Sequence, residues 1–251
     1  MNQVAEKKVI EQNGDVFSEV FQTDTLKTEG EKQTAGRSNM YALMADVFRY
    51  PDKAFRNFAR NGELVDGLID ITSSLPYGDI LTDKEKETLI FPESLSDDDI
   101  EAEFIRLFEA GPGDPPCPLI EGKYNKEANR RAIFEDLIRF YNNFGLSYKE
   151  GSQDDRPDHI SYELEFMHYL AFLTLRAMQE NKETKGYLLA QKDFLEHHTA
   201  KWALKLAERM KNIVKEIDEP DAAIQFYVDL FNILDRFIAA DFAYLKNTLA
   251  D

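Results

Sequence analysis

The stretch DDRPDHISYELEFMHYL, residues 154–170, indicates the fold class of this chain more directly than any other segment. Apolar side chains recur at intervals of three and four residues from Ile160 to Met178, in two stripes that together cover most of a helical surface. A helix that is apolar on most sides is usually buried among other helices. The stretch therefore predicts the central helix of a bundle, with Pro157 at its first position and Asp158 in its first turn.

Helical spacing also dominates the rest of the chain after about residue 38. Further helices are predicted at about 38–50, 52–60, 64–69, 94–110, 126–145, 187–217 and from 220 onward. No stretch alternates apolar and polar residues between turn signals, so we expect no sheet. The sequence thus predicts an all-α protein whose single-domain helical bundle spans residues 38–251.

Residues 1–37 differ from this pattern because they are polar, mixed in charge and short of apolar periodicity. Segments of this composition cannot bury enough apolar surface to offset the entropy that ordering costs. We therefore expect a flexible polar N-terminal tail over residues 1–37.

The segment GPGDPPCPLIEGKY, residues 111–124, carries four prolines in its first eight residues and cannot be helical. It is predicted to be an extended, stiff loop, which either connects two helices or helps to shape a binding surface. Its Cys117 is the single cysteine of the chain, which builds neither a disulfide framework nor a cysteine metal site. Cys117 is predicted to be a packed thiol rather than a nucleophile.

Composition excludes several classes of partner. The formal net charge is −17, from 47 acidic and 30 basic residues, so the protein repels phosphate backbones and anionic lipid. We expect no nucleic acid and no membrane partner, and a basic peptide or protein segment fits the charge better. No apolar run reaches the roughly 18–20 residues that cross a bilayer, and no secretory signal opens the chain, which predicts a cytoplasmic protein.

A search for catalytic groups finds only isolated pieces. Glu165 and His168 have the Glu-x-x-His spacing of di-iron bundles, but the second copy that such a site needs is missing from the sequence. Asp158 and His159 are adjacent and would point about 100° apart on a helix, so they form no dyad. We expect no catalytic residue, no metal site and no cofactor.

Two further histidine positions have simpler interpretations. His159 and Glu163 are four residues apart, so their side chains can pair. This arrangement fits either an ordinary helix start or a polar, ligand-facing spot at a helix N-terminus. His198 shares a helical face with Phe194 and Trp202 and is predicted to be a core histidine with one hydrogen bond.

Five segments, taken in order, resemble those of a known family and span about four-fifths of the chain. They are YALMADVFRYPD at 41–52, EFIRLFEAGPGDPPCPLIEGKY at 103–124, FYNNFGL at 140–146, RPDHISYELEFMHYL at 156–170 and FLEHHTAKW at 194–202. Together they resemble the TorD/DmsD/NarJ family of cytoplasmic chaperones that mature molybdenum-containing redox enzymes.

The resemblance implies an all-helical fold of the TorD-like type without a catalytic centre. It also implies that the protein binds the twin-arginine leader peptide and the apo catalytic subunit of a molybdoenzyme, and delays export until the molybdopterin cofactor is inserted. Many family members have a serine where Gly122 stands here. The segment PPCPLIEGKY is similar to the branch that serves type II enzymes of the dimethyl sulfoxide reductase family.

The resemblance assigns leader recognition to Asp158 and His159, and places Glu121 and Tyr124 near them. Arginine favours bidentate contacts with carboxylates and stacking on aromatic rings. Neighbouring acidic and aromatic residues are therefore added to the predicted binding site. The predicted leader- and client-binding residues are Asp158, His159, Glu163, Glu121, Tyr124, Asp155 and Tyr162.

Three alternatives stay open at this point. The chain could be a small helical metal- or nucleotide-binding enzyme, although no phosphate-binding loop is present in the sequence. It could also be an adaptor that binds only folded subunits. Bundles with long connections can exchange elements between subunits, so either a monomer or a swapped homodimer is compatible with the sequence.

Overall fold

The computed structural model of the protein describes residues 8–9, 26–78, 80–126, 129–147, 156–218 and 220–250. The predicted all-α fold is confirmed. The helices within these ranges are α1 Glu29–Val47, α2 Lys53–Arg60, α3 Glu63–Ser73, α4 Asp83–Thr88, α5 Asp97–Phe104, α6 Arg130–Asn143, α7 Ile160–Gln179, α8 Lys185–His197, α9 Thr199–Lys215 and α10 Ala222–Ala250.

Short elements complete the described chain. A π-helical turn, Ile105–Glu109, continues α5, and a 3-10 turn, Glu121–Lys123, lies in the proline-rich loop. Two strands of two residues each, β1 Lys8–Val9 and β2 Leu146–Ser147, pair in parallel, so the expectation of no sheet is wrong for this short pair. No helix among the described residues combines the length and the hydropathy that crossing a membrane requires.

Helix α7 is the central element of the bundle, as its two apolar stripes predict. It packs along α1 and also contacts α8 and α9, while α10 packs against α8, α9, α4 and α5. Its fully buried apolar side chains include Leu164, Met167, Leu170, Ala171 and Leu175. Burial of such side chains contributes roughly 1.5–3 kcal/mol each, so α7 supplies much of the stabilising core.

The start of α7 differs from the prediction. The first helical residue is Ile160 and His159 is the N-cap, so Pro157 and Asp158 precede the helix rather than forming its first turn. Pro157 and Asp158 instead lie in a turn closed by a hydrogen bond from the N–H of His159 to the carbonyl of Arg156, and the carbonyl of Asp158 accepts a hydrogen bond from Glu121 of the proline-rich loop.

Helix α1 begins at Glu29 rather than near Ser38, so the predicted boundary of the tail at residue 37 is wrong. Thr28 and Glu31 form a capping box in which each side chain accepts a hydrogen bond from the backbone N–H of the other residue. Such a box satisfies two of the free N–H groups at a helix start. The polar composition of 1–37 concealed this helix.

The buried face of the early part of α1 is polar. The guanidinium of Arg37 is almost fully buried and donates from one terminal nitrogen to Asp241 of α10 at 2.9 Å and to Gln191 of α8 at 2.7 Å. These bonds join three helices inside the bundle. Most of the remaining predicted tail, residues 1–7 and 10–25, lies outside the described residues.

The helix predicted over 187–217 is two helices, α8 and α9, separated at His198. The backbone of His198 is non-helical, with φ −124° and ψ −102°. Its side chain is buried and hydrogen-bonds to Glu121, far away in the sequence. This long-range contact accompanies the break, and nothing in the local sequence indicates it.

Candidate peptide-binding site

The proline-rich loop, residues 111–124, lies against the start of α7. Two backbone hydrogen bonds, each 2.9 Å long, connect them: Ile160 donates to the carbonyl of Leu119, and Glu121 donates to the carbonyl of Asp158. The loop is thereby joined to the segment that precedes α7, but it is extended only in part, because residues 111–114 bend and Glu121–Lys123 form a 3-10 turn.

Asp158 strengthens this connection through its side chain, which is fully buried. Its carboxylate accepts two hydrogen bonds from the guanidinium of Arg156, at 3.0 and 2.9 Å, and one from the backbone N–H of Gly122 at 3.2 Å. Burial raises the pKa of Asp158, and the charge of Arg156 opposes that rise. A Cβ at position 122 would lie 3.2 Å from the same carboxylate, so the glycine allows a close approach there.

Glu121 connects the loop to the break between α8 and α9. One carboxylate oxygen lies 2.9 Å from Nδ1 of His198, and the other accepts a hydrogen bond from Asn125 at 2.9 Å. The second ring nitrogen of His198 lies 3.4 Å from a carboxylate oxygen of Asp136 on α6. His198 is buried and makes one side-chain hydrogen bond, as predicted, although its second ring nitrogen also lies near a carboxylate.

Glu163 is the third fully buried carboxyl group of this region, after Asp158 and Glu121. Its Oε2 accepts hydrogen bonds from the hydroxyl of Thr199 at 2.8 Å and from Nε1 of Trp202 at 3.1 Å. Its Oε1 is buried and has no hydrogen-bond partner among the described residues. Burial, together with the negative charge of Glu121, raises the pKa of Glu163 well above its usual value.

The predicted side-chain pair of His159 and Glu163 does not form. The two side chains have separate partners, because His159 turns back to accept a hydrogen bond from the backbone N–H of Ser161 at 3.2 Å. His159 thereby acts as the N-cap of α7, where an acceptor stabilises one of the free N–H groups of the first turn.

Cys117 and Tyr124 belong to the loop, and both side chains are buried. Tyr124 stacks on Trp202 with ring centroids 5.5 Å apart, and its hydroxyl lies 3.7 Å from the sulfur of Cys117. Burial raises the pKa of Cys117 to about 11, so the thiol stays protonated at neutral pH. Cys117 is a packed thiol, as predicted.

His159 and Tyr162 form the partly exposed edge of this region, with ring centroids 6.5 Å apart. Burial and the nearby charges of Arg49 and Arg156 lower the pKa of His159 to about 4, so the ring is neutral at pH 7. Asp155, another predicted binding residue, lies outside the described residues.

The predicted residues thus fall into two groups. Asp158, Glu121, Glu163 and Tyr124 are buried and bonded to other parts of the protein, whereas His159 and Tyr162 reach the surface. Both carboxylate oxygens of Asp158 and of Glu121 already have internal partners, so a ligand arginine could contact these two groups only by displacing one of them. The arrangement is that of a rigid support beneath a small polar and aromatic surface.

Three residues of this region were not predicted as part of the site: Arg156, His198 and Trp202. Neither their residue type nor their local spacing indicated a role in the site. His198 and Trp202 bond to partners that are distant in sequence, and Arg156 lies outside a helix, where helical spacing does not apply. The one available signal was that all three lie within the segments 156–170 and 194–202 that resemble the family.

The isolated Glu165–His168 pair has structural partners. Glu165 forms an ion pair with Arg49, two residues beyond the end of α1, and Nδ1 of His168 lies 2.9 Å from the hydroxyl of Ser38. In the part of the chain that the structure describes, no three His, Cys, Asp or Glu side chains converge as a metal ion would require.

Comparison with known proteins identifies the family. The family model described as "Nitrate reductase delta subunit" matches residues 83–208. The chain is 28% identical to the perchlorate reductase assembly chaperone protein of Dechloromonas aromatica, over 86% of this chain and 93% of that protein.

Two more relatives have the same kind of name. The chlorate reductase assembly chaperone protein of Ideonella dechloratans is 32% identical, and the selenate reductase assembly chaperone protein of Thauera selenatis is 30% identical. Each match covers 68% of this chain and 75% of the relative. The chain therefore belongs to the nitrate reductase delta subunit family, and it is a chaperone of redox-enzyme maturation rather than an enzyme.

Proposed function

We propose that this protein binds the twin-arginine leader and the apo catalytic subunit of a molybdoenzyme, in the cytoplasm, until the molybdopterin cofactor has been inserted. The observation that carries the proposal is the likeness to three relatives named as assembly chaperones of perchlorate, chlorate and selenate reductases. The client would accordingly be a reductase subunit related to these enzymes.

The surface formed by His159 and Tyr162 is the proposed contact for the leader. Tyrosine rings stack on guanidinium groups, and the neutral imidazole of His159 adds no positive charge that would repel them. The buried Asp158, Glu121 and Glu163 would act as positioning residues, because their hydrogen bonds connect the start of α7 to the proline-rich loop, to His198 and to α9. The net charge of −17 favours encounter with a basic peptide.

The test is titration of a fluorescein-labelled leader peptide, taken from the molybdoenzyme subunit encoded beside the chaperone gene. We expect binding at low salt, weaker binding when both arginines are replaced by lysine, and weaker binding by the Tyr162→Ala variant. A folded wild-type protein that does not bind the peptide would contradict leader recognition.

A catalytic subunit that lacks its leader separates this proposal from the adaptor alternative. We expect the chaperone to retain the full-length apo subunit on an affinity column much better than the leader-deleted form. Equal retention of both forms would show that the leader contributes nothing and would favour an adaptor that reads only the folded subunit.

A further inference from the structure

A groove of about 830 Å³ lies between α1, α2 and α3, with part of α7 at one end. Half-buried apolar side chains from three helices line it: Leu43, Phe55, Phe58 and Ile71. Gly67 of α3 leaves open space, since a Cβ there would meet no atom within 4 Å. The volume suits a few side chains of one helix rather than a folded domain.

The charged lining of this groove is mostly acidic. Asp46, Asp52 and Glu63 are exposed, Glu165 is almost buried, and Arg49 is the one Lys or Arg among the described lining residues. Asp46 and Glu165 both pair with Arg49, which leaves the acidic charge in excess. An apolar interior beside excess carboxylates matches a ligand that is both basic and apolar.

Glu165 has an oxygen placed for such a ligand. Its Oε1 pairs with Arg49, but its Oε2 is buried and has no hydrogen-bond partner among the described residues. A buried carboxylate oxygen without a donor is costly, and an incoming guanidinium would supply one.

The groove adjoins the proposed leader-binding surface. Tyr162 follows His159 by three residues and Glu165 follows Tyr162 by three, so they occupy neighbouring positions along one side of α7. Glu165, itself on α7, lines the groove, so the groove and the surface formed by His159 and Tyr162 meet on this helix. Burial lowers the pKa of His159, and the charge of Arg49 in the groove lining lowers it further.

We infer that the groove receives the apolar run of the leader as a helix, with an arginine or other basic side chain directed at Glu165 and Asp46. The inference rests on the proposed function and assigns a site to the part of the leader that His159 and Tyr162 would not contact. An amphipathic helix that inserts apolar side chains into a groove is a common form of peptide recognition.

Two other occupants fit the groove less well because of charge. A second copy of this chain would bring its own net charge of −17 to an acidic rim. The apolar part of the N-terminal segment, residues 11–24, carries four acidic residues and no Lys or Arg. Like charges placed face to face disfavour both arrangements.

The first test fills the groove without disturbing the core. Gly67→Trp places a large ring in the open space, and Gly186→Trp is the matched control, since Gly186 is also a helical glycine at which an added Cβ would meet nothing within 4 Å. With the labelled leader peptide, we expect Gly67→Trp to weaken binding about tenfold or more and Gly186→Trp to stay within about twofold of wild type.

A peptide variant shows whether the groove contacts the apolar run. Replacing the leucines of that run by serine should weaken binding to the wild type, but should add little further loss in Gly67→Trp, because the same contact is already gone. If the losses of binding from the peptide change and from Gly67→Trp add up in full when the two are combined, the inference is overturned.

The charge of the rim is tested by Asp46→Lys, with Glu208→Lys as a control of equal charge change on the exposed side of α9. We expect Asp46→Lys to weaken binding more than Glu208→Lys. Suppose that the wild type binds the leader and that Tyr162→Ala weakens this binding. If Gly67→Trp and Asp46→Lys then bind the leader as tightly as the wild type, the groove inference fails and the proposed function stands. If wild type does not bind, leader recognition itself fails.

Discussion

Glu163 combines two opposed features in one carboxyl group. Its Oε2 accepts hydrogen bonds from Thr199 and Trp202, which favour the ionised form, but burial and the charge of Glu121 favour the protonated form more strongly. The folded protein therefore keeps a proton on Glu163 at a pH where the unfolded chain releases it.

This proton makes the stability of the fold depend on pH. Because the pKa of Glu163 is raised in the folded state, its contribution to the free energy of unfolding is fully present below about pH 4.5, its ordinary pKa. The contribution is lost as the pH rises towards the folded-state pKa, by up to about 1.4 kcal/mol per pH unit.

Glu163→Gln keeps the shape and the acceptor oxygen but cannot titrate. We expect the wild type to lose stability relative to this variant as the pH rises from 5 to 8, in urea unfolding measured across that range. Glu208→Gln, an exposed substitution, is the control and should track the wild type. A constant difference between wild type and Glu163→Gln at every pH would contradict the raised pKa.

At the scale of elements, the start of α7 and the proline-rich loop form one connected unit. Asp158 belongs to both, because its carbonyl bonds to Glu121 while its carboxylate bonds to Arg156 and Gly122. Its burial makes it part of the folded framework.

Asp158→Ala should therefore lower the free energy of unfolding by about 2–3 kcal/mol, because it leaves Arg156 and the N–H of Gly122 without their acceptor. Hydrogen exchange at the Gly122 amide should also become faster. His159→Ser is the comparison, since serine is a good N-cap and should change stability by less than about 1 kcal/mol. A loss of similar size in both variants would show that Asp158 has no special structural role.

The positions of helices could be predicted wherever local signals determine them. Asp52 and Ser96 cap α2 and α5, which lie within the predicted ranges 52–60 and 94–110. The break at His198 could not be predicted, because the partner that accompanies it, Glu121, lies 77 residues away. The burial of the predicted binding carboxylates was missed for the same reason, since burial follows from packing between distant segments.

At the scale of the whole molecule, the folded bundle includes residues before 38, since Leu26 is buried and α1 begins at Glu29. The sequence could not reveal this, because Arg37 resembles a surface residue until its partner Asp241, 204 residues away, is known. The groove was likewise concealed, because Leu43 fits the core pattern of α1 although the folded protein leaves it half exposed.

Two truncations test where the folded region begins. Removal of residues 1–25 leaves the capping box and Arg37 intact, and we expect a folded protein with a cooperative thermal transition. Removal of residues 1–37 deletes the early turns of α1 and leaves the buried Asp241 without its guanidinium, which should cost about 3 kcal/mol or more. Equal thermal stability of the two products would place the boundary at residue 38 after all.

The ion pair between Arg37 and Asp241 also has a consequence for synthesis. At about 5–20 residues per second, the ribosome needs roughly 10–40 s to add the 204 residues that separate them. During that time Arg37 has no carboxylate to meet, and burying it alone would be costly. The bundle can therefore close only late, when almost the whole chain has been made. For most of its translation, the nascent chain of the chaperone lacks the partner that its buried arginine needs.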